Sequence, residues 1–249
     1  MHYYTDYFQH IPQDDFGWST EWNNEIDKWL EYLYQINPTH YEQNKKRVLK
    51  DKQRDEFLGE IKTLYFLGRI LGLKIIELEP QGKGKTKLDL SIEDLNNKLL
   101  WKVEVKSPSW KGQVWKDPNL TDMQKQARTS KPKIINGESK SFSSEEEIQY
   151  AAEDSIKNAL PKFISGENNL LVITPDMSQN MLTMFAISAM AGGSREIQDE
   201  LFLDDKDKLI STVLVLEPVL PSESGVIEYW HGFLDITSRP SLPSMAKFI

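Results

Sequence analysis

The chain has no cysteine in its 249 residues, which excludes a disulfide scaffold, a thiolate zinc site and a cysteine nucleophile. Histidine is scarce. His2, His10, His40 and His231 are widely scattered and form no i, i+4 pair, so a histidine-rich metal site is not expected. No run approaches the roughly 18–20 apolar residues of a membrane span. The opening Met1-His-Tyr-Tyr-Thr-Asp lacks the basic head and apolar run of a signal peptide. The expectation is a soluble, cytoplasmic protein with no membrane partner. Positive charge is also in deficit. The formal net charge is −8, which taken alone argues against a general nucleic-acid binder. Two familiar catalytic signatures are missing. Gly82-Lys-Gly-Lys lacks P-loop spacing and its Lys-Ser/Thr ending, and no Gly-x-Ser-x-Gly elbow occurs.

What is present is concentrated in one stretch. Lys102-Val-Glu-Val-Lys106 reads as a β-strand with Glu104 and Lys106 on one face and Val103 and Val105 on the other. Fifteen residues before Glu104 stands Asp89, in Lys87-Leu-Asp-Leu-Ser-Ile, itself strand-like. Two carboxylates and a lysine on neighbouring strands can hold a divalent cation and activate a water. Magnesium takes one or two carboxylates plus waters and substrate phosphate, and it lowers the pKa of bound water while polarising a phosphate. Lys106 can position that water or offset charge on the phosphorane. The local charge agrees. Between residues 81 and 140 Lys and Arg outnumber Asp and Glu by 13 to 7, against an acidic remainder. Lys87, Lys102, Lys111 and Lys116 are the nearest candidates for phosphate contact, with Lys125, Arg128, Lys131 and Lys133 beyond them.

The surrounding periodicities place these residues on elements. Residues 1–18 form an aromatic arm expected to pack on the body. Residues 20–36 suit a helix with Ile26, Trp29, Leu30 and Leu33 at helical spacing and Pro38 after its end. One long helix is expected from about Tyr41 to Leu71, solvated in its first half and apolar in its second, closed by Gly72. Strands follow at residues 73–78, 87–92 and 99–106, the last two joined by a turn at Asn96-Asn97. Residues 107–144 read as a long polar, basic loop carrying Trp110 and Trp115. A helix is expected over 144–164, ended or kinked by Pro161. Then come a strand at 169–174, a Met- and Ala-rich helix at 178–191, and strands at 209–217 and 226–236.

The order helix, three strands, helix, strand resembles the PD-(D/E)XK nuclease superfamily over residues 41–175, on Glu60, Asp89 and Glu104-Val105-Lys106. Leu88 stands where the named pattern has proline. The resemblance implies an α/β fold with a restriction-endonuclease-like αβββαβ core, a mixed central sheet flanked by helices, an N-terminal helical arm and a C-terminal αββ extension. One domain is expected, with arm and helix at 1–40, core at 41–175 and extension at 176–249. It further implies Mg2+, with Mn2+ as alternative, held by Asp89, Glu104 and the Val105 carbonyl. Lys106 would serve the attacking water, and Glu60 would reach the site through a metal-bound water or Lys106. The partner would be DNA, and a homodimer or a larger complex is compatible. Superfamily members often place a polar residue where Lys157 stands.

Blander readings stay open. Glu-Val-Lys is common in half-exposed strands, and Glu60 can instead pair with Arg54 or Lys62 on its helix. The rival function is a nuclease-fold DNA- or protein-binding subunit of a defence, transposition or phage complex.

Overall fold

The computed structural model describes residues 20–49, 51–108, 154–174, 205–219 and 226–235. Helix α1 (Thr20–Ile36) sets Ile26, Trp29, Leu30 and Leu33 into the core, as their spacing requires. Asn37 then caps a second helix, α2 (Pro38–Asn44), its side-chain oxygen accepting from the His40 amide at 2.9 Å. Pro38 therefore opens a helix rather than trailing one, the first-turn position where its missing N–H costs nothing.

The single helix expected over 41–71 is a series of pieces. A 3-10 segment (Lys45–Leu49) precedes α3 (Asp51–Tyr65), and a π turn (Phe66–Ile70) completes it. The break has a reason that appears only in three dimensions. Arg47 and Glu60 are 13 residues apart, about 20 Å along a straight helix, yet they pair at 2.8 Å. The π turn closes with the Leu71 amide on the Phe66 carbonyl at 2.9 Å. It brings Gly68 so close to Tyr32 that an added Cβ would lie 2.2 Å from the hydroxyl. Gly72, at φ +71, ends the run as expected.

Among the described residues six strands form one sheet in sequence order: β1 (Lys74–Leu78), β2 (Leu90–Asp94), β3 (Leu99–Lys106), β4 (Asn168–Ile173), β5 (Thr212–Val219) and β6 (Glu228–Asp235). β1, β2 and β3 form an antiparallel meander, β4 joins β3 in parallel, β5 joins β4 in parallel, and β6 closes antiparallel on β5. The expected mixed α/β sheet flanked by helices is present. The parallel strands are apolar on both faces, as buried strands must be. Leu170 and Val172 join Val103, Val105 and Trp101 under α1 and α3. Leu171 and Ile173 face Ile156, Ala159 and Phe163 on the opposite side.

Several boundaries move. β2 begins at Leu90, three residues after the expected Lys87, because the Leu88 amide turns to the Pro80 carbonyl at 3.0 Å. Lys87 keeps only an isolated bridge to Gln81. β4, β5 and β6 start one residue before, three residues after and two residues after the expected positions. The helix expected over 144–164 is described over 154–159, and at Pro161 it passes into a 3-10 turn, Leu160–Lys162. The aromatic arm, the basic loop with its tryptophans and the helix at 178–191 lie outside the described residues. Among the described residues no helix is long and apolar enough to cross a membrane.

Candidate active site

The site lies where the antiparallel meander gives way to parallel pairing, at the C-terminal end of β3. β2 runs opposite to β3, so the residue entering β2 stands beside the residues leaving β3. Asp89 is that residue. Its amide donates to the Val103 carbonyl at 3.1 Å, and its carbonyl accepts from the Glu79 amide at 2.9 Å. Its Oδ2 accepts the Val105 amide at 2.6 Å. A side-chain oxygen thus replaces a backbone carbonyl at that rung and draws the carboxyl to the residue beside Glu104. The Lys106 carbonyl accepts from the Thr174 amide on the β4 side. By strand alternation the Val105 carbonyl faces the other way, toward Asp89.

Glu104 and Lys106 share a face, as expected, and Val103 and Val105 enter the core on the other. Glu104 has no exposed surface. Its Oε1 accepts from Lys106 at 2.6 Å and from Lys162 at 2.5 Å. Its Oε2 is buried with no hydrogen-bond partner. Lys162 comes from the 3-10 turn after Pro161. The break that proline imposes swings this lysine over the sheet, whereas Lys157, on the helix itself, is exposed.

Glu60 comes from α3. Its carboxylate accepts two parallel bonds from Arg47, each 2.8 Å, the fork geometry guanidinium favours. Arg47 also lies 5.1 Å over the Phe57 ring. Glu60 thus pairs with Arg47, a residue of the charged run that precedes its helix. α3 approaches the strand ends closely at Gly59, where an added Cβ would lie 1.8 Å from Ser107 Oγ and 3.2 Å from Thr174 Cγ2.

The three carboxylates feel one another. Burial, then Glu104, then Glu60 push the Asp89 carboxyl up to about 7 against the Val105 amide and Lys162. Burial raises Glu60 too, beyond what Arg47 pulls down. Burial works against charge on Lys162, but the bond to Glu104 and the fields of Glu104, Asp89 and Glu60 hold its ammonium above its usual value. Two chemical consequences follow. Asp89 is reluctant to ionise unless a cation joins it, and Lys162 stays charged.

The expected phosphate-binding lysines are dispersed. Lys87 is exposed and paired with Glu79 at 2.7 Å. Lys102 is half-buried on the face of β3 that carries Glu104. Lys111 and Lys116 lie outside the described residues. Two residues of the cluster, Lys162 and Arg47, were not expected. Pro161 marked the bend that delivers Lys162, but nothing in the charged run around Arg47 distinguished it from a solvated face. The acidic pair fits a divalent cation in one specific respect: Glu104 Oε2 is a buried oxygen lacking a donor, beside a carboxyl held near neutrality. Among the described residues no group of three or more His, Asp or Glu converges as a ready metal cage.

No family model and no curated protein matches the chain. A solved structure of SfsA from Pyrococcus furiosus, in complex with Ca2+, is similar at 18% identity with a TM-score of 0.26. The match covers 73% of this chain and 61% of that one. The fold assignment therefore stands on sheet order, register and the layering of the two cores.

Proposed function

We propose that the chain is a Mg2+-dependent endonuclease that cleaves DNA phosphodiester bonds, with Mn2+ as an alternative ion. The observation that carries this reading is the Asp89–Glu104 pair. Asp89 is pushed to about 7, and a Glu104 oxygen is buried without a partner. Asp89 and the Glu104 Oε2 are thus left without a cation, a gap that a hard, oxygen-seeking ion satisfies. Asp89, Glu104 and the Val105 carbonyl would hold the ion. When bound, it supplies a water of lowered pKa and polarises the phosphate.

The chain's own residues do the rest. Glu104 fixes the Lys106 ammonium through its 2.6 Å bond while the side chain keeps 22% exposure, enough to meet a substrate at the surface. There Lys106 positions the attacking water and offsets charge growing on the phosphorane. Lys162 supplies a second ammonium on the same Glu104 oxygen, fixing the carboxylate's orientation from the opposite layer. Arg47 pulls Glu60 toward its charged form against burial, and the field of Glu60 adds to the cost of ionising Asp89. The test is cleavage of plasmid, linear duplex, single-stranded and branched DNA with Mg2+ and with EDTA. Cutting that persists in Asp89→Ala and Lys106→Ala variants would sink the assignment.

One observation favours the binding-subunit reading: Arg47 occupies both oxygens of Glu60, leaving two carboxylates for the ion. If millimolar Mg2+ and Mn2+ neither bind nor support cleavage, that reading replaces the enzyme.

A further inference from the structure

The loop between β1 and β2, residues 81–87, carries the Gly82-Lys-Gly-Lys stretch that no catalytic motif explains. It is built stiffly. The Gln81 side-chain nitrogen lies 3.2, 2.7 and 2.9 Å from the carbonyls of Gly82, Gly84 and Thr86. The Gly82 amide donates to the Thr86 carbonyl at 3.0 Å, and the Thr86 hydroxyl donates to the Lys83 carbonyl at 2.8 Å. Gly84 takes φ +64, open to glycine and costly for other residues. The loop is also fastened to the site. The Lys83 amide donates to the Lys162 carbonyl at 2.8 Å, and Gly82 approaches so closely that a Cβ would lie 2.8 Å from that same carbonyl. Lys162 in turn grips Glu104.

What this frame holds out is charge. Lys83 and Lys85 are exposed and make no ion pair among the described residues, while Lys87 is matched by Glu79. At the site Glu60, Asp89 and Glu104 face Arg47, Lys106 and Lys162, which leaves little net attraction for a polyanion. The whole chain, at −8, repels one. A substrate phosphate backbone needs cations outside the balanced cluster, and a rigid mount loses least freedom on binding.

We infer that the 81–87 loop is a phosphate-gripping element, with Lys83 and Lys85 as positioning residues that contact the DNA backbone beside the scissile phosphate. The inference rests on the nuclease reading above and deepens it. Each phosphate contact contributes about 0.9 to the slope of log affinity against log salt. Lys83→Ala/Lys85→Ala is therefore expected to lower that slope by about 1.8 and weaken duplex binding roughly 60-fold at 0.1 M salt relative to 1 M.

The experiment is fluorescence anisotropy of a short DNA duplex in EDTA across a salt series, with urea unfolding of each variant alongside. Both lysines are exposed, so the midpoint should not move. Lys83→Arg/Lys85→Arg should keep the wild-type slope. Gln81→Ala, which loosens the mount and leaves the charges, should keep most of the slope and lose affinity. In Mg2+, kcat at saturating duplex should stay near wild type while KM rises. A double alanine variant with wild-type affinity and slope overturns the loop's role and leaves the nuclease reading standing. A wild-type protein that binds no DNA at any salt overturns both.

Discussion

Removing the charge of Asp89 should stabilise the metal-free protein. The carboxyl is half-buried, near Glu104 and Glu60, and its pKa is raised from 3.8 to about 7. The raised value means that the folded state holds its proton more tightly than the unfolded chain. The favourable contribution is complete below about pH 4 and is lost as pH rises through 7. At pH 8 both states are ionised, and the folded state bears the full difference, about 4 kcal/mol at 1.36 kcal/mol per pH unit. Asn has nearly the same shape and keeps an oxygen to accept the Val105 amide. Asp89→Asn should therefore raise unfolding free energy by about 4 kcal/mol at pH 8, about 2 at pH 5, and almost nothing at pH 3. Urea unfolding in EDTA at the three pH values measures this directly. A variant that is neutral or destabilised at pH 8, or whose gain does not shrink with falling pH, refutes the reasoning. Adding Mg2+ should stabilise the wild type by an amount that grows with the logarithm of its concentration above the dissociation constant and leave Asp89→Asn nearly unmoved.

Other perturbations separate the parts of the cluster. Arg47→Ala removes both bonds to the half-buried Glu60 carboxylate and should cost about 1–3 kcal/mol; a chemical denaturation series checks it, and pairing with Glu60→Gln should recover part of the loss. Lys162→Ala leaves Glu104 with Lys106 alone and should cost about 1–3 kcal/mol by the same assay, with cleavage falling alongside. Gly59→Ala should destabilise by about 1–3 kcal/mol through the clash with Ser107, outweighing the gain of about 1 kcal/mol in helix propensity. Tyr229→Phe removes a hydroxyl that accepts from Trp29 and donates to Glu25; it should cost about 1–3 kcal/mol in stability and leave DNA cleavage unchanged.

Local pattern made the sheet legible. Alternation in Lys102-Val-Glu-Val-Lys106 depends only on strand geometry, and β3 was located from it to the residue. β4 and β5 were visible as apolar runs because both their faces are covered. β2 was misplaced because Asp89 spends its side chain on the Val105 amide and Leu88 turns toward Pro80. A strand pattern in sequence cannot distinguish a backbone rung from a side-chain one. The broken helix was hidden for a similar reason. Nothing local to Lys45–Leu49 forbids continued helix, and what bends the chain is a bond to Glu60 thirteen residues on.

The same distinction divides the site. Asp89, Glu104 and Lys106 belong to adjacent strands, so their neighbourhood follows from sheet geometry once the hairpin is recognised. Arg47 and Lys162 come from elements that sheet geometry does not position. Arg47 gives half-buried Glu60 its counter-charge, and Lys162 adds a second ammonium to buried Glu104, which Lys106 already meets; a buried charge left unpaired costs several kcal/mol. Within the motif Lys106 meets Glu104, while the cation for Glu60 comes from outside it. Glu60 lies against the apolar face of α3, where the Arg47 guanidinium reaches it from beyond the break in the helix. Glu104 lies on β3 under a layer of helix, where a lysine released by Pro161 joins Lys106 on it. Asp89 received no such cation. It has an amide and the distant field of Lys162, and its carboxyl is held near neutrality in consequence. The asymmetry among three neighbouring carboxylates, two matched and one not, is what marks Asp89 as the place where an external cation adds most.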